Sequence, residues 1–448
     1  MKKTFVGLLA ALSVLVSCSS NEPTNVVTPN ARQLAWADAE VGVLIHFDMP
    51  VYQPDYNFRK WGTHPDASIF NPTELNTDQW LETAHKLGAQ YAVLVAKHCS
   101  GFSLWPTEAH DYSIKQSPWK NGEGDIVADF IASCKKYNIK PGIYASTTAN
   151  GYLYVDNPGV VQEGGPVTQE EYNKIVTQQL TELWSNYGEL FEIWFDGGVL
   201  SKDQGGADVL SLVQKLQPNA IAFQGPYGHP NLIRWVGNEE GVAPYPCWST
   251  ADSTTNADGT RVINGLNGDP FAPFWFTLRW NRSFQGGWFW TTGQDSMMFT
   301  LPELLTKYET SVGRNTNMLL GLVIDDRGLI PDADVRQVEA LGKEITRQYG
   351  SPLQQTSGTG SEFVISFDKP VSINRVILQE DISKGERVLK YALKGKKNNE
   401  WIDLSSGTCI GHKHINRFEA QTLDAIKLVV DESKADPLIM NFSVFETI

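Results

Sequence analysis

Leu190-Phe191-Glu192-Ile193-Trp194-Phe195-Asp196-Gly197-Gly198 is the stretch on which the reading of this chain turns. An apolar, aromatic run ends abruptly in one carboxylate and two glycines. That is the pattern of a buried parallel strand delivering a single acidic side chain to the rim of a sheet. In a barrel of alternating strands and helices, catalytic side chains sit at the strand C-termini. Asp196 is therefore the first candidate catalytic group. The same letters also fit a plain turn in which Asp196 bonds its own backbone, so the stretch needs support from its neighbours.

Working outward, apolar runs at residues 41–47, 91–96, 140–145, 220–223, 233–236 and 318–324 read as further buried strands. Helical patterns at 34–39, 77–87, 125–137, 169–187, 209–216, 301–312 and 331–349 alternate with them. Asn76 or Thr77 is a plausible cap for the second helix, and Pro331 opens the last one, where a missing N–H costs nothing. The aromatic segments 274–280 and 288–291 are less regular. Strand–helix alternation at this spacing implies a mostly parallel α/β sheet, and the number of units favours a (β/α)8-like barrel over an open sheet. No GxGxxG opens the first helix, so no dinucleotide site is expected.

From residue 351 the pattern changes to short strands at 362–367, 373–379, 388–394, 400–404, 410–418, 425–430 and 440–444, separated by turn clusters. This predicts a C-terminal antiparallel β-sandwich. The Ser-, Thr-, Gly- and Gln-rich segment 351–360 marks the boundary. The expected organisation is a catalytic barrel over 31–349 and a sandwich over 350–448.

The N-terminus has the layout of an export signal: Lys2 and Lys3, then an apolar stretch from Phe5 to Val16 that is too short to span a bilayer. It ends Leu15-Val16-Ser17-Cys18, which resembles a bacterial lipoprotein processing box. Residues 1–18 are thus expected to be a signal peptide ending at a lipidated Cys18, and 19–30 a polar tether. The expected address is the bacterial cell envelope, with membrane contact only through the lipid. Cys99, Cys134, Cys247 and Cys409 show no CxxC pair or disulfide-framework spacing and are expected to be free thiols. A net charge of −14 argues against nucleic acid and anionic membrane as partners. An aromatic share of 11% suits a carbohydrate protein, whose cleft sets flat rings against C–H-rich sugar faces.

His46, His98, Tyr144 and Asp196 end four successive strands, which suggests one shared pocket. No HxxxH, HxH or HExxH pattern calls for a metal. If Asp196 is half of a carboxylate pair, a partner is needed, and the run Arg234-Trp235-Val236-Gly237-Asn238-Glu239-Glu240-Gly241 offers one. Glycosidases divide such a pair into nucleophile and acid/base. Glu239-Glu240 also fits a solvated charged loop.

Five segments now carry a resemblance. Val43-Leu44-Ile45-His46-Phe47 resembles the "FIHWG" first strand of the α-L-fucosidases of glycoside hydrolase family 29. Residues 89–105, AQYAVLVAKHCSGFSLW, resemble that family's "AKYAVLTAKHHDGFCLW". Residues 142–146 resemble "GLYYS", 192–197 the nucleophile motif "ELWFDG", and 317–331 "NLLLNIPPDRRGLIP". Residues 234–243, RWVGNEEGVA, resemble the "RWxGNExG" stretch of the subgroup that prefers α-1,3/1,4-linked fucose in branched glycans. The segment 375–417 resembles that subgroup's discoidin-like sandwich.

The resemblance implies a retaining double displacement with Asp196 as nucleophile and Glu239 as acid/base. It implies substrate contacts from His46, His98, Tyr144 and Trp194, with Trp61 or Trp288 against the sugar's methyl group, and no metal or organic cofactor. The implied partners are fucosylated oligosaccharides; oligomeric state is not implied. The chain departs from the family at Lys60-Trp61-Gly62, where relatives often have Glu-Trp-Gly, and at Ala145, where they have a second tyrosine. The competing readings are an inactive lipid-anchored glycan-binding protein and a related glycosidase such as an α-L-galactosidase.

Overall fold

A computed structural model describes residues 26–236, 241–255, 261–263, 267–272, 274–275, 277–283, 288–293 and 298–447. The signal, Cys18 and most of the tether lie outside these residues, as does Glu239.

Eight strands close into a parallel barrel in chain order: β1 (Val41–His46), β2 (Tyr91–Lys97), β3 (Lys140–Ala145), β4 (Glu192–Trp194), β5 (Ile221–Phe223), β6 (Leu232–Trp235), β7 (Thr277–Ser283) and β8 (Asn317–Val323), with β8 beside β1. Among the described residues seven helices accompany them: α1 (Ala31–Ala37), α2 (Thr77–Leu87), α3 (Ile126–Tyr137), α4 (Gln169–Ser185), α5 (Val209–Leu216), α6 (Leu301–Glu309) and α7 (Asp332–Tyr349). Local chemistry sets their ends. Asn76 and Asp125 cap α2 and α3 by accepting the Gln79 and Ala128 N–H groups. A Thr168–Glu171 capping box starts α4. Gly88 and Asn138 close α2 and α3 in the left-handed conformation.

The expected barrel is present, with local differences. Helix α1 starts earlier than its apolar residues suggest, because Asn30 and Gln33 form a capping box. Pro331 is the extended cap of α7 rather than its first residue. No described helix separates β5 from β6 or β6 from β7. Short antiparallel pairs, 250–251 with 274–275 and 253–255 with 261–263, occupy the second of these connections. Segment 288–291 is irregular.

Strand alternation divides the barrel residues into two sets. Val43, Ile45, Ala92, Leu94 and Ile143 pack outward against the helices. Leu44, Val93, Tyr144, Trp194, Phe223 and Leu319 fill the interior. At the N-terminal end of the barrel, Trp36, Tyr91 and Phe191 pack together with centroids 4.8–5.6 Å apart and form the floor. Gly42 is required there, since a Cβ would run into the Tyr91 ring.

The C-terminal strands are β9 (Gln354–Thr359), β10 (Glu362–Glu380), β11 (Val388–Lys397), β12 (Glu400–Gly407), β13 (His414–Ser433) and β14 (Leu438–Glu446), in the order β9-β14-β10-β13-β11-β12. Strands expected as separate short pieces are joined. β10 and β13 run through both layers, with register shifts near 366–371 and 373–375 where the sheet folds over. Phe363, Leu393, Ile426, Phe442 and Val444 meet between the layers. Most of the boundary segment 351–360 is the edge strand β9, paired to β14. Its polar composition is that of an exposed edge.

The sandwich docks on the barrel through buried polar groups. Glu386 accepts the Ser249 N–H at 3.0 and 3.1 Å and the Asn315 side-chain amide at 2.5 Å. Asn315 in turn accepts the His412 N–H at 2.6 Å. Lys413 pairs with Glu40, and Arg417 with Glu309.

Candidate active site

The first four strands end in the residues singled out by position. His46 is the last residue of β1, Tyr144 pairs with Trp194 across β3 and β4, and Asp196 follows β4 by two residues. His98 reaches the interior by a further device. On β2, Tyr91, Val93 and Val95 face inward, so unbroken alternation would turn Lys97 inward and His98 outward. A register shift between Val95 and Lys97 pairs Lys97 with the outward Ala145. That reversal brings His98 to the inner face, where its ring stacks on Tyr144 at 5.5 Å and 14°.

Asp196 adopts φ +45°, an uncommon conformation for a residue with a Cβ, and one held only when its surroundings over-determine it. Three bonds do so. Tyr144 Oη donates to Asp196 Oδ2 at 2.8 Å. Thr148 Oγ1 donates to the Asp196 carbonyl at 2.7 Å. The Gln224 side-chain oxygen accepts the Gly197 N–H at 2.5 Å. The carboxylate is partly exposed at the mouth, while Tyr144 and Trp194 behind it are buried. Asp196 is therefore not a turn residue bonded to its own backbone.

Burial sets the protonation of the neighbours. The His98 imidazole is pushed down to about 4, with Lys97 adding to the effect and Asp196 opposing it. His46 is held well below the usual histidine value by burial and by the nearby His98. Both rings are thus neutral at neutral pH, each with one N–H donor and one acceptor nitrogen. Burial and the Asp196 charge drive the Tyr144 hydroxyl far above its usual range, so it stays protonated and donates.

Aromatic side chains form the wall. Trp288 lies 4.8 Å from His46, and Phe289 lies 5.6 Å from His46 and 5.1 Å from His98. Trp194 packs on Phe223 at 4.4 Å and on Tyr144 at 5.6 Å. The structure therefore gathers His46, His98, Tyr144, Trp194, Asp196 and Trp288. Trp61 is not part of this ring cluster. It stacks on Tyr154 at 5.7 Å and 20°, in a rim layer pinned by the Arg59–Asp156 pair at 2.9 Å. Among the described residues, no group of three or more His, Cys, Asp or Glu side chains is arranged to hold a metal ion.

Comparisons with known proteins place the chain in a family. The Alpha-L-fucosidase family model matches residues 33–350. The chain belongs to the α-L-fucosidase family. Alpha-L-fucosidase 1 of Arabidopsis thaliana is 31% identical over 93% of this chain and 87% of its own length. A crystal structure assigned as an α-L-fucosidase from Bacteroides thetaiotaomicron is 35% identical with a TM-score of 0.89, covering 94% of this chain and all of that one. A glycoside hydrolase 29 family member from an unknown rumen bacterium is 29% identical with a TM-score of 0.81, covering 95% of this chain and 78% of that one. This fucosidase thus shares both barrel and sandwich with its relatives.

Some site residues of the fucosidase escape sequence reasoning. Gln224 follows β5 directly, so the strand-end rule could have found it. Phe289 sits beside Trp288 and carries no signal of its own, and Thr148 lies in a loop without a motif.

Proposed function

We propose that the protein is an exo-acting, retaining α-L-fucosidase that removes α-1,3/1,4-linked L-fucose from branched oligosaccharides or glycans. The observation that carries this reading is the Asp196 carboxylate, fixed in a left-handed turn at the barrel mouth by Tyr144, Thr148 and Gln224 and faced by neutral His98. One carboxylate oxygen is bonded to Tyr144, which leaves the other for attack at the anomeric carbon. As the Asp196–carbon bond forms, the glycosidic C–O bond breaks and the leaving oxygen takes a proton from Glu239. Water then attacks the same carbon and gives its proton to Glu239, and the Asp196 ester bond breaks to release fucose. His46 and His98 hydrogen-bond the sugar hydroxyls, and Trp288 and Phe289 offer apolar faces to the methyl group. The linkage preference rests on the resemblance of residues 234–243 to the branched-glycan subgroup. The signal-like N-terminus and the sequence before Cys18 support an exported lipoprotein of the cell envelope.

The test is incubation with Lewis-type trisaccharides, a linear 2′-fucosylated oligosaccharide and a nitrophenyl fucoside. Fucose should be released from the branched trisaccharides. Release only from the linear sugar would overturn the linkage reading, and release from none would overturn the activity. Asp196→Ala should abolish hydrolysis while leaving thermal unfolding intact; an unchanged rate would remove Asp196 from the mechanism.

A further inference from the structure

Two buried ionisable side chains beside the site take no part in these steps. Asp48 stands two residues beyond His46 and Lys97 one residue before His98, and each is only 2% exposed. Asp48 Oδ1 accepts the Ser100 hydroxyl proton at 2.6 Å, and Ser100 Oγ accepts the Phe102 N–H at 3.0 Å. The turn that contains Ser100 is tight. The His98 carbonyl accepts the Gly101 N–H at 3.1 Å, with Gly101 at φ +87°. On its other side, the Cys99 and Ser100 carbonyls accept the Gly151 and Tyr152 N–H groups at 2.7 and 3.1 Å. The turn is therefore clamped between the loop after β1 and the loop after β3. His98 heads it and lies flat on Tyr144, whose hydroxyl bonds the Asp196 carboxylate. A shift of the turn passes to that donor by direct contact.

The motifs quoted above add an independent observation. Aligned on its histidine, "FIHWG" places glycine at position 48, and "AKHHDGF" places aspartate at position 100. This chain has aspartate at 48 and serine at 100. In the motif the carboxylate stands at position 100; in this chain it stands at 48, opposite a serine that bonds it.

We propose that Asp48 is a positioning residue for fucoside hydrolysis, holding through Ser100 the turn that places His98 against Tyr144. The electrostatics agree. Burial pushes the Asp48 carboxyl up to about 7, while the Ser100 hydroxyl, backbone N–H groups and the Lys97 ammonium favour its ionised, accepting form. This inference rests on the assignment of Asp196 to the chemistry.

The experiment compares four proteins on whichever of the three substrates above wild type cleaves fastest, with melting temperatures in parallel: wild type, Asp48→Gly, Ser100→Ala and the exchanged double variant Asp48→Gly/Ser100→Asp. Displacement of a reacting group by about 1 Å costs up to ~100-fold, so each single variant should lose roughly 10- to 100-fold in kcat/KM. The exchanged variant should return to within about threefold of wild type. A role confined to folding would lower the melting temperature in step with activity, whereas a positioning role separates the two. Should Asp48→Gly fail to fold, Ser100→Ala deletes the same bond without touching β1. Wild-type activity in Ser100→Ala, or a folded exchanged variant as slow as Asp48→Gly, overturns the proposal alone. No fucose release by wild type overturns it together with the assignment of the activity.

Discussion

At the residue scale, the bond from Tyr144 to Asp196 is the contact most open to test. A hydrogen bond to a charged group is worth about 1.5–3 kcal/mol. Tyr144→Phe removes the donor and keeps the ring under His98. It should lower kcat/KM by roughly 10- to 100-fold with little change in melting temperature, as read from initial rates and thermal unfolding of the same preparation. Asp196, His46 and His98 were legible in the sequence because each ends an apolar run, and a strand end is visible as an abrupt change of composition. The inward turn of His98 was not legible as geometry. It depends on one bulge residue after Val95, and nothing in Ala96-Lys97 announces a register shift. Asp48 carries no such mark: its partner Ser100 is 52 residues away in sequence and meets it because β1 and β2 pair side by side.

At the scale of elements, the rim layer formed by the loops after β1 and β3 is held by a few specific contacts. Tyr154 supports Trp61, and Asp156 accepts from Arg59 Nε at 2.9 Å. An aromatic pair contributes about 0.5–1.5 kcal/mol beyond its buried area. Tyr154→Ala should therefore loosen Trp61 and raise KM for nitrophenyl fucoside by roughly two- to tenfold, with kcat changed less. An unchanged KM would place Trp61 outside the sugar contact. Helices are legible in the sequence where caps are encoded locally, as at Asn76 and Asp125. The sandwich strands look like fragments in the sequence, because turn-like residues such as Asp368-Lys369-Pro370 lie inside β10, where the strand bends between layers.

At the scale of the whole molecule, the two halves share buried polar groups, so they should unfold together. Glu386→Ala would strand the Ser249 N–H and leave the Asn315 amide mainly its bond to the Cys247 carbonyl at 2.8 Å, at a cost of about 1–3 kcal/mol for the buried group left unpaired. Calorimetry should show one transition moved to lower temperature; two separated transitions would mean that the barrel does not depend on the sandwich. A pH dependence follows from Asp48 and Glu380, both buried and both raised to about 7. A carboxyl whose folded value exceeds its unfolded value stabilises fully below the unfolded value and loses that contribution as pH rises through the folded one. Melting temperature should thus fall between pH 5 and 8 from this source, and Glu380→Gln should flatten that decline. The sandwich was visible as composition, but its contacts with the barrel were not, since they pair residues far apart in sequence such as Ser249 and Glu386. With Trp36, Tyr91 and Phe191 packed across the N-terminal end and Leu44, Val93 and Leu319 filling the interior, the barrel is a packed core rather than a pore, and Asp196 is approached from the mouth at the strand C-termini. A glycan is not threaded through such a core, so each encounter presents one chain tip. On the double-displacement reading, the departing oligosaccharide and the incoming water use the same doorway in turn. Whatever lingers at that doorway delays the second step without touching Asp196.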